Sequence, residues 1–411
     1  MRIGMILHGA AGYPEDIRVT KESSALIQAG FEVHLLCQCQ PGQVSYEVLD
    51  SGIHVHRVKI ERNETGTFPA HRKVQALVRN LKIDRPRDDW RQALKQFVAD
   101  ARIDVLHCHD LPALPVACEV AAQCSIPIVA DLHENWPGFT ITDIEQLPGW
   151  KQVLRRRLYR QWKKLEKTFL PQCDRIVVVV EEAARRVSES CQIRPNDLVV
   201  VSNTEDDSTL ASTDEPFVNC FPDRWTATYV GGIGPHRGID TSIRAAAIAG
   251  RKIPDFQLAV VGPSQPQIPR LERLIHQAGA SDYVTIIRKV PSAQVPAYIR
   301  SSEVCLVPHN DTEHTNTTVP HKLFQYMLLK KPVLVSDCPP LERIVRAAGS
   351  GEVFRRNDAD HMAEQLVKMH SKPLQLKAWA AQGARSASTE FSWENDATRL
   401  IEMYNSLGRA A

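Results

Sequence analysis

Residues 227–240 read ATYVGGIGPHRGID, and this stretch decides the fold. Ala227–Val230 form a short apolar run suited to a buried strand. Gly231, Gly232 and Gly234 then break the chain, and a helical stretch follows Gly238. A strand that runs through a glycine turn into a helix offers backbone N–H groups and a positive helix end to a phosphate. Arg237 adds a forked cation to the same turn.

Outward from this turn, short apolar runs alternate with amphipathic helical stretches along the whole chain. That alternation predicts parallel sheets with crossover helices. In the first half, strands are expected near Ile3–Leu7, Glu32–Cys37, His54–Val58, Val105–His107, Ile128–Ala130, Ile176–Val180 and Leu198–Val201. In the second half they are expected near Ala227–Val230, Gln257–Val261, Val284–Ile287, Val304–Val307 and Val333–Ser336. Helices such as Glu15–Ala29 and Pro112–Gln123 separate them. Residues 203–225, SNTEDDSTLASTDEPFVNCFPDRW with its flank, are acidic, rich in serine and threonine and without period, as a surface connection is. The reading is therefore an α/β protein of two Rossmann-like, doubly wound domains. They are expected over 1–203 and 226–387, joined by a linker at 204–225. A last helix within 388–411 is expected to pack back on the first domain.

The chain has 411 residues, 43% hydrophobic and 24% charged, enough for two cores. Fifty Lys and Arg against 48 Asp and Glu leave a net charge of +2, which argues against a nucleic-acid partner. Ten scattered cysteines contain no C-x-x-C pair, and the Cys37/Cys39 spacing fits no common zinc site. The N-terminal apolar run is too short for a signal peptide, and no run reaches the ~18 residues of a membrane span. A cytoplasmic location is expected, peripheral on the membrane's cytoplasmic face if the basic stretch described below binds lipid.

In doubly wound sheets, ligands bind beyond the carboxyl ends of the strands. The first such turn holds Gly9 and Gly12, where backbone can approach a ligand closely, although the spacing is not that of a dinucleotide fingerprint. The strand ends at His107-Cys108-His109-Asp110 and Asp131-Leu132-His133-Glu134 are polar, and their side chains are expected to point into the crevice. The densest signal is HNDTEHTNTTVPHKLFQYM, residues 309–327. Pro320 suits a helix start, with Thr317 and Thr318 placed to give hydrogen bonds near it. Lys322 and Gln325 share one helix face, while Phe324, Met327 and Leu328 form the core side. A polar helix N-terminus beside a cation suits a sugar-bearing diphosphate.

Residues 150–169 read WKQVLRRRLYRQWKKLEKTF, with eight basic residues and the single acid Glu166 between 151 and 167. A basic helix with Trp150, Leu154, Leu158 and Trp162 interleaved suits an anionic membrane surface and a lipid-linked acceptor. The competing reading packs those apolar residues on the first domain and leaves only the charges in water.

Pro14–Arg18, His109-Asp110, Asp131–Glu134, Gly231–Gly238 and Pro320–Asp337 together resemble glycosyltransferase family 4, and the resemblance spans nearly the whole chain. It implies the GT-B fold of two domains facing a cleft. It further implies a retaining, metal-independent transfer with no cofactor, from a nucleotide-sugar donor to a saccharide or lipid-linked acceptor in cell-surface polysaccharide or glycolipid synthesis. By position, Arg237 matches a residue on the donor diphosphate, and His109 matches a histidine near the reacting sugar. Gln325 stands where the family often has a glutamate on the nucleotide ribose. The family's two glutamates stand eight positions apart, and those positions hold Thr317 and Gln325; its second basic residue is replaced by Gly232. Glu313, on the same loop, is the candidate to make up for Thr317. The expected catalytic set is His109, Arg237 and Lys322. The alternatives are a sugar-nucleotide-binding protein without turnover, suggested by the missing glutamates, and an epimerase using Asp131 and Glu134.

Overall fold

The computed structural model describes residues 1–8, 13, 16–58, 88–206 and 219–408. The chain forms two compact units, Met1–Ser202 with Asp396–Ala411, and Asn203–Asn395.

The first unit contains β1 (Arg2–Leu7), α1 (Ile17–Gln28), β2 (Glu32–Gln38), β3 (Tyr46–Val48), β4 (His54–Val58), α2 (Asp88–Asp100), β5 (Val105–His109) and α3 (Leu114–Cys124). It continues with β6 (Ile128–Leu132), α4 (Trp136–Thr140), α5 (Gly149–Phe169), β7 (Arg175–Val178), α6 (Glu181–Cys191) and β8 (Leu198–Val200). The strands stand in the order β3-β4-β2-β1-β5-β6-β7-β8. Only the edge pair β3–β4 is antiparallel among the described strands. β5 (VLHCH) and β6 (IVADL) are buried at every position, as strands covered on both faces must be. α1 starts where the Asp16 carboxylate accepts the Val19 N–H at 3.1 Å.

The second unit contains β9 (Trp225–Val230), α7 (Ile239–Ala249), β10 (Phe256–Val261), α8 (Ile268–Gln277), β11 (Val284–Ile287), α9 (Val295–Arg300) and β12 (Val304–Val307). α10 (His321–Leu328), β13 (Val333–Ser336), α11 (Pro339–Ala348), β14 (Gly351–Phe354), α12 (Ala359–His370) and α13 (Pro373–Ala387) follow. Its strands are all parallel, in the order β11-β10-β9-β12-β13-β14. Ile239, Ile243, Leu258, Val260, Leu306 and Leu366 belong to one core between sheet and helices. The last helix, α14 (Trp393–Leu407), starts in this unit and belongs to the first unit from Asp396 onward. There the Tyr404 hydroxyl bonds His107 Nδ1.

Two strands were not expected from the sequence. β3 is a short edge strand with Tyr46 and Val48 exposed, so it has no apolar run to read. β14 reads GEVF, and only Phe354 is fully buried. The connection after the first unit is less of a surface segment than its composition implies, because Thr204 and Glu205 are buried.

Strand order locates the sites. In the first sheet the chain moves outward from β1 to β2, then returns to the other side of β1 at β5. In the second it moves from β9 through β10 to β11, then returns at β12. Crossovers diverge at these two switch points, leaving a crevice at the strands' carboxyl ends.

Candidate functional site

In the second unit, the loops after β9 and β12 meet at the switch point. Gly238 ends the first loop in the left-handed conformation (φ +66°), and a Cβ there would lie 1.6 Å from the Pro308 oxygen. Only glycine lets the two loops close to this distance. Asn310 fastens them further, donating from Nδ2 to the Pro235 oxygen at 2.8 Å. Across this seam Arg237 Nη1 donates to His309 Nε2 at 3.2 Å. Burial, followed by the charge of Arg237, holds His309 well below the ordinary histidine value. The ring is therefore neutral and able to accept.

Lys322, in the first turn of α10, lies with Nζ over the Tyr229 ring, 3.8 Å from its centroid. Gly231 (φ +122°) makes room for it, since a Cβ would stand 2.9 Å from Nζ. Tyr229 is fixed by donating from its hydroxyl to the Gly232 oxygen at 2.6 Å. Burial and the neighbouring Arg237 push Lys322 well below the usual lysine range. Among the described residues, neither cation has a carboxylate partner. α10 begins at Pro320 without a side-chain cap, so the positive end of the helix lies beside Lys322. Two basic side chains and a positive helix end suit an anion, which would favour the charged form of Lys322.

Several of the expected site residues have partners nearby. Thr317 Oγ1 donates to the Glu313 oxygen at 2.8 Å, and Thr318 Oγ1 to the His314 oxygen at 3.1 Å. Their hydroxyl protons thus close the loop's own backbone, because the 3-10 turn at Thr315–Thr317 exposes these carbonyls to them. Glu313 is exposed. Gln325 donates from Nε2 to Glu205 Oε1 at 3.1 Å, and His321 Nδ1 is 3.4 Å from the same oxygen. Glu205 is 3% exposed. A buried carboxylate beside Gln325 was missed in the sequence reading, because Glu205 sits among acids that composition marks as solvated. Phe324 and Met327 are buried as expected, but Leu328 is only half-buried.

At the first switch point, Gly9 and Gly12 lie outside the described residues. The neighbouring strand ends hold a charged network rather than open crevice groups. Arg18 grips Asp131 with two bonds, 3.0 and 2.9 Å long, and donates to the Val201 oxygen at 3.0 Å. It also reaches Glu22 at 3.0 Å. Burial is the larger influence there and raises Glu22 to about 8. Asp131 is held well below the carboxylate range: burial opposes ionisation, but Arg18 and His133 outweigh it.

His109 does not point into a crevice: it is 1% exposed. It stands 3.0 Å from His133 and 3.3 Å from Asp131, and burial and His107 lower it to about 3. The physical reason is that β5 is covered on both faces, so even its polar end is drawn inside. His133 is the histidine nearer solvent, with a side chain 13% exposed. Against the pull of burial, Asp110 and Asp131 raise it to about 9. A cationic imidazole resting on a buried anion is the better proton-bearing group of the two.

α5 buries part of the apolar stripe read from its sequence. Trp162 is buried against Trp136, ring centroids 5.2 Å apart, and Leu154 and Leu158 are half-buried. The exposed stripe is Trp150, Val153, Arg157, Arg160, Lys164 and Lys167, whose spacing keeps them on one side. Trp150 is 54% and Val153 66% exposed. No described helix is long and apolar enough to cross a membrane.

Comparison with known proteins identifies the family and the fold. A phosphatidyl-myo-inositol mannosyltransferase of Mycolicibacterium smegmatis is 24% identical, covering 100% of this chain and 95% of its own. A D-inositol 3-phosphate glycosyltransferase of Rhodococcus erythropolis is 26% identical over 58% of this chain and 55% of its own. In fold, the chain is similar to sucrose-phosphate synthase from Thermosynechococcus elongatus, with a TM-score of 0.74 at 18% identity over 100% of both chains. It is also similar to HepE of Anabaena in complex with UDP, with a TM-score of 0.71 at 13% identity over 99% of this chain and 100% of that one. These folds are GT-B. Residues 17–208 match the family model described as Glycosyltransferase Family 4, and residues 212–405 the one described as Glycosyl transferases group 1. With both halves so matched, the chain belongs to the family 4 glycosyltransferases and is a glycosyltransferase of GT-B architecture.

Proposed function

We propose that the enzyme transfers a sugar with retention of configuration from a nucleotide-diphosphate donor held by the second unit. The observation that carries this reading is the pair Arg237 and Lys322. They are close enough for Arg237 to depress Lys322, and neither has a carboxylate partner among the described residues. A diphosphate supplies the missing negative charge, and the positive end of α10 adds to the attraction. Gln325, with the buried Glu205 behind it, is placed to hold nucleotide hydroxyls as a neutral amide. UDP and UDP-glucose complexes of HepE, a protein of the same fold, fit a donor of this class.

In the reaction, the bond between the sugar's anomeric carbon and the diphosphate oxygen breaks, and Arg237 and Lys322 stabilise the departing charge. The acceptor hydroxyl oxygen bonds to the same carbon from the same face, and its proton passes to a diphosphate oxygen. No metal or cofactor enters this scheme. Arg237→Ala and Lys322→Ala are each expected to lower kcat by about 10²–10³-fold. Wild-type rates in both variants would overturn the scheme.

The acceptor is proposed to be carried on a lipid or a growing surface saccharide. The exposed stripe of α5 supports this reading: Trp150 and Val153 for the interface, and four cations for anionic headgroups at about 1 kcal/mol each. The mannosyltransferase of M. smegmatis bears the name of a lipid acceptor. Such a protein works on the cytoplasmic face of a membrane.

A further inference from the structure

We propose that Glu32, His34 and His54 form a binding site for a first-row transition cation of the Zn²⁺ class. The site lies at the amino-terminal end of the first sheet, opposite the β5 and β6 ends that carry the charged network. It arises from strand periodicity. Glu32 and His34 alternate on β2, and His54 and His56 on β4, so each pair shares one face. The parallel register sets His34 directly beside His54.

One ligand atom from each of Glu32, His34 and His54 lies within 4.8 Å of the others. The His34 and His54 rings stack with centroids 4.4 Å apart. Metal–ligand bonds of about 2.0–2.2 Å need these atoms to draw together slightly, which the exposed Glu32 side chain permits. His34 Nε2 is already 2.9 Å from Glu32 Oε1, while Arg2 Nε holds Glu32 Oε2 at 3.2 Å.

Each imidazole also has an outer partner of the kind that orients metal ligands. His34 Nδ1 lies 3.1 Å from His56 Nε2, so a proton on Nδ1 leaves the Nε2 lone pair facing Glu32. The Tyr46 hydroxyl lies 2.9 Å from His54 Nδ1, leaving Nε2 to the metal. Two histidines and a glutamate with solvent alongside make an open three-ligand set. The bound ion joins β2 to β4 and, through Tyr46, to the edge strand β3.

The full-length chain, first treated with chelator, is titrated with Co²⁺ and then with Zn²⁺, with absorbance and melting temperature as readouts. The expected result is one ion per chain, a tetrahedral-type Co²⁺ absorption displaced by Zn²⁺, and a raised melting temperature. His54→Gln and His34→Gln should each weaken binding by more than about 100-fold, and Tyr46→Phe by about 10-fold. His54 is only half-buried, so His54→Gln keeps the metal-free melting temperature and serves as the folded control. An absence of binding by the unaltered chain, or binding unchanged in His54→Gln, overturns the site.

Discussion

At the scale of single residues, burial rather than residue type decides which polar groups can act. Arg237 and Lys322 stand out in the sequence, because a basic residue after a glycine turn and one in the first turn of a helix suit an anion. His109 is not: its residue type and strand-end position match those of a site group, yet coverage of β5 on both faces makes it a neutral part of a buried network. Glu205 is invisible in an acidic stretch until the fold sets it against Gln325. The network makes stability depend on pH. His133 is raised from an ordinary value near 6.5 to about 9. Its contribution is fully present below about 6.5 and is lost as pH rises through about 9. Glu22, raised to about 8 and ionised in the unfolded chain from about 4.5, acts in the same direction at lower pH. His133→Gln is therefore expected to flatten the fall in stability between about pH 6.5 and 9 while leaving the Glu22 part. Chemical unfolding across that range checks this, and an unchanged slope would show that His133 is not cationic in the folded state.

At the scale of elements, two features carry testable weight. The β9–α7 turn closes on the β12 loop only through Gly238. Gly238→Ala places a methyl group on the Pro308 oxygen in a left-handed conformation. That costs at least about 1 kcal/mol in backbone terms alone and more from the clash. Nucleotide affinity is expected to fall by at least about 10-fold, and calorimetric titration with UDP or GDP against the unaltered chain measures it. α5 shows a helix whose composition supports two readings that only its packing separates. Its inner stripe of Leu154, Leu158 and Trp162 faces the first unit, so the outer stripe alone can meet lipid. The double substitution Trp150→Ser with Val153→Ser should reduce flotation with anionic liposomes severalfold, and 1 M salt should abolish what remains, since screening shortens electrostatic reach to about 3 Å. Equal flotation of both proteins would remove the membrane reading. The strand pattern was legible wherever a strand is buried on both faces. β3 and β14 escaped because edge strands need no continuous apolar run.

At the scale of the whole molecule, the chain's last helix belongs to the unit that its first residues build. Leu400, Met403, Tyr404 and Leu407 are buried from α14. At about 1.5–3 kcal/mol for each fully buried side chain, they contribute up to about 6–12 kcal/mol, comparable to the entire stability of a domain. A chain ending at Asn395 should therefore lose the calorimetric transition of the first unit and keep that of the second. Two unshifted transitions would show that α14 is not a staple. From sequence alone followed the two-sheet α/β architecture, the glycine turn at the second switch point, and the two cations that suit a diphosphate. Each rests on local causes: hydrophobic period, glycine freedom, and charge at a helix start. Which histidine meets solvent, where a carboxylate finds Gln325, which face of α5 is free, and the meeting of Glu32, His34 and His54 were decided only by tertiary structure. Those outcomes depend on strand order and on coverage of both sheet faces, and so on contacts between residues far apart in the chain, which no local pattern encodes.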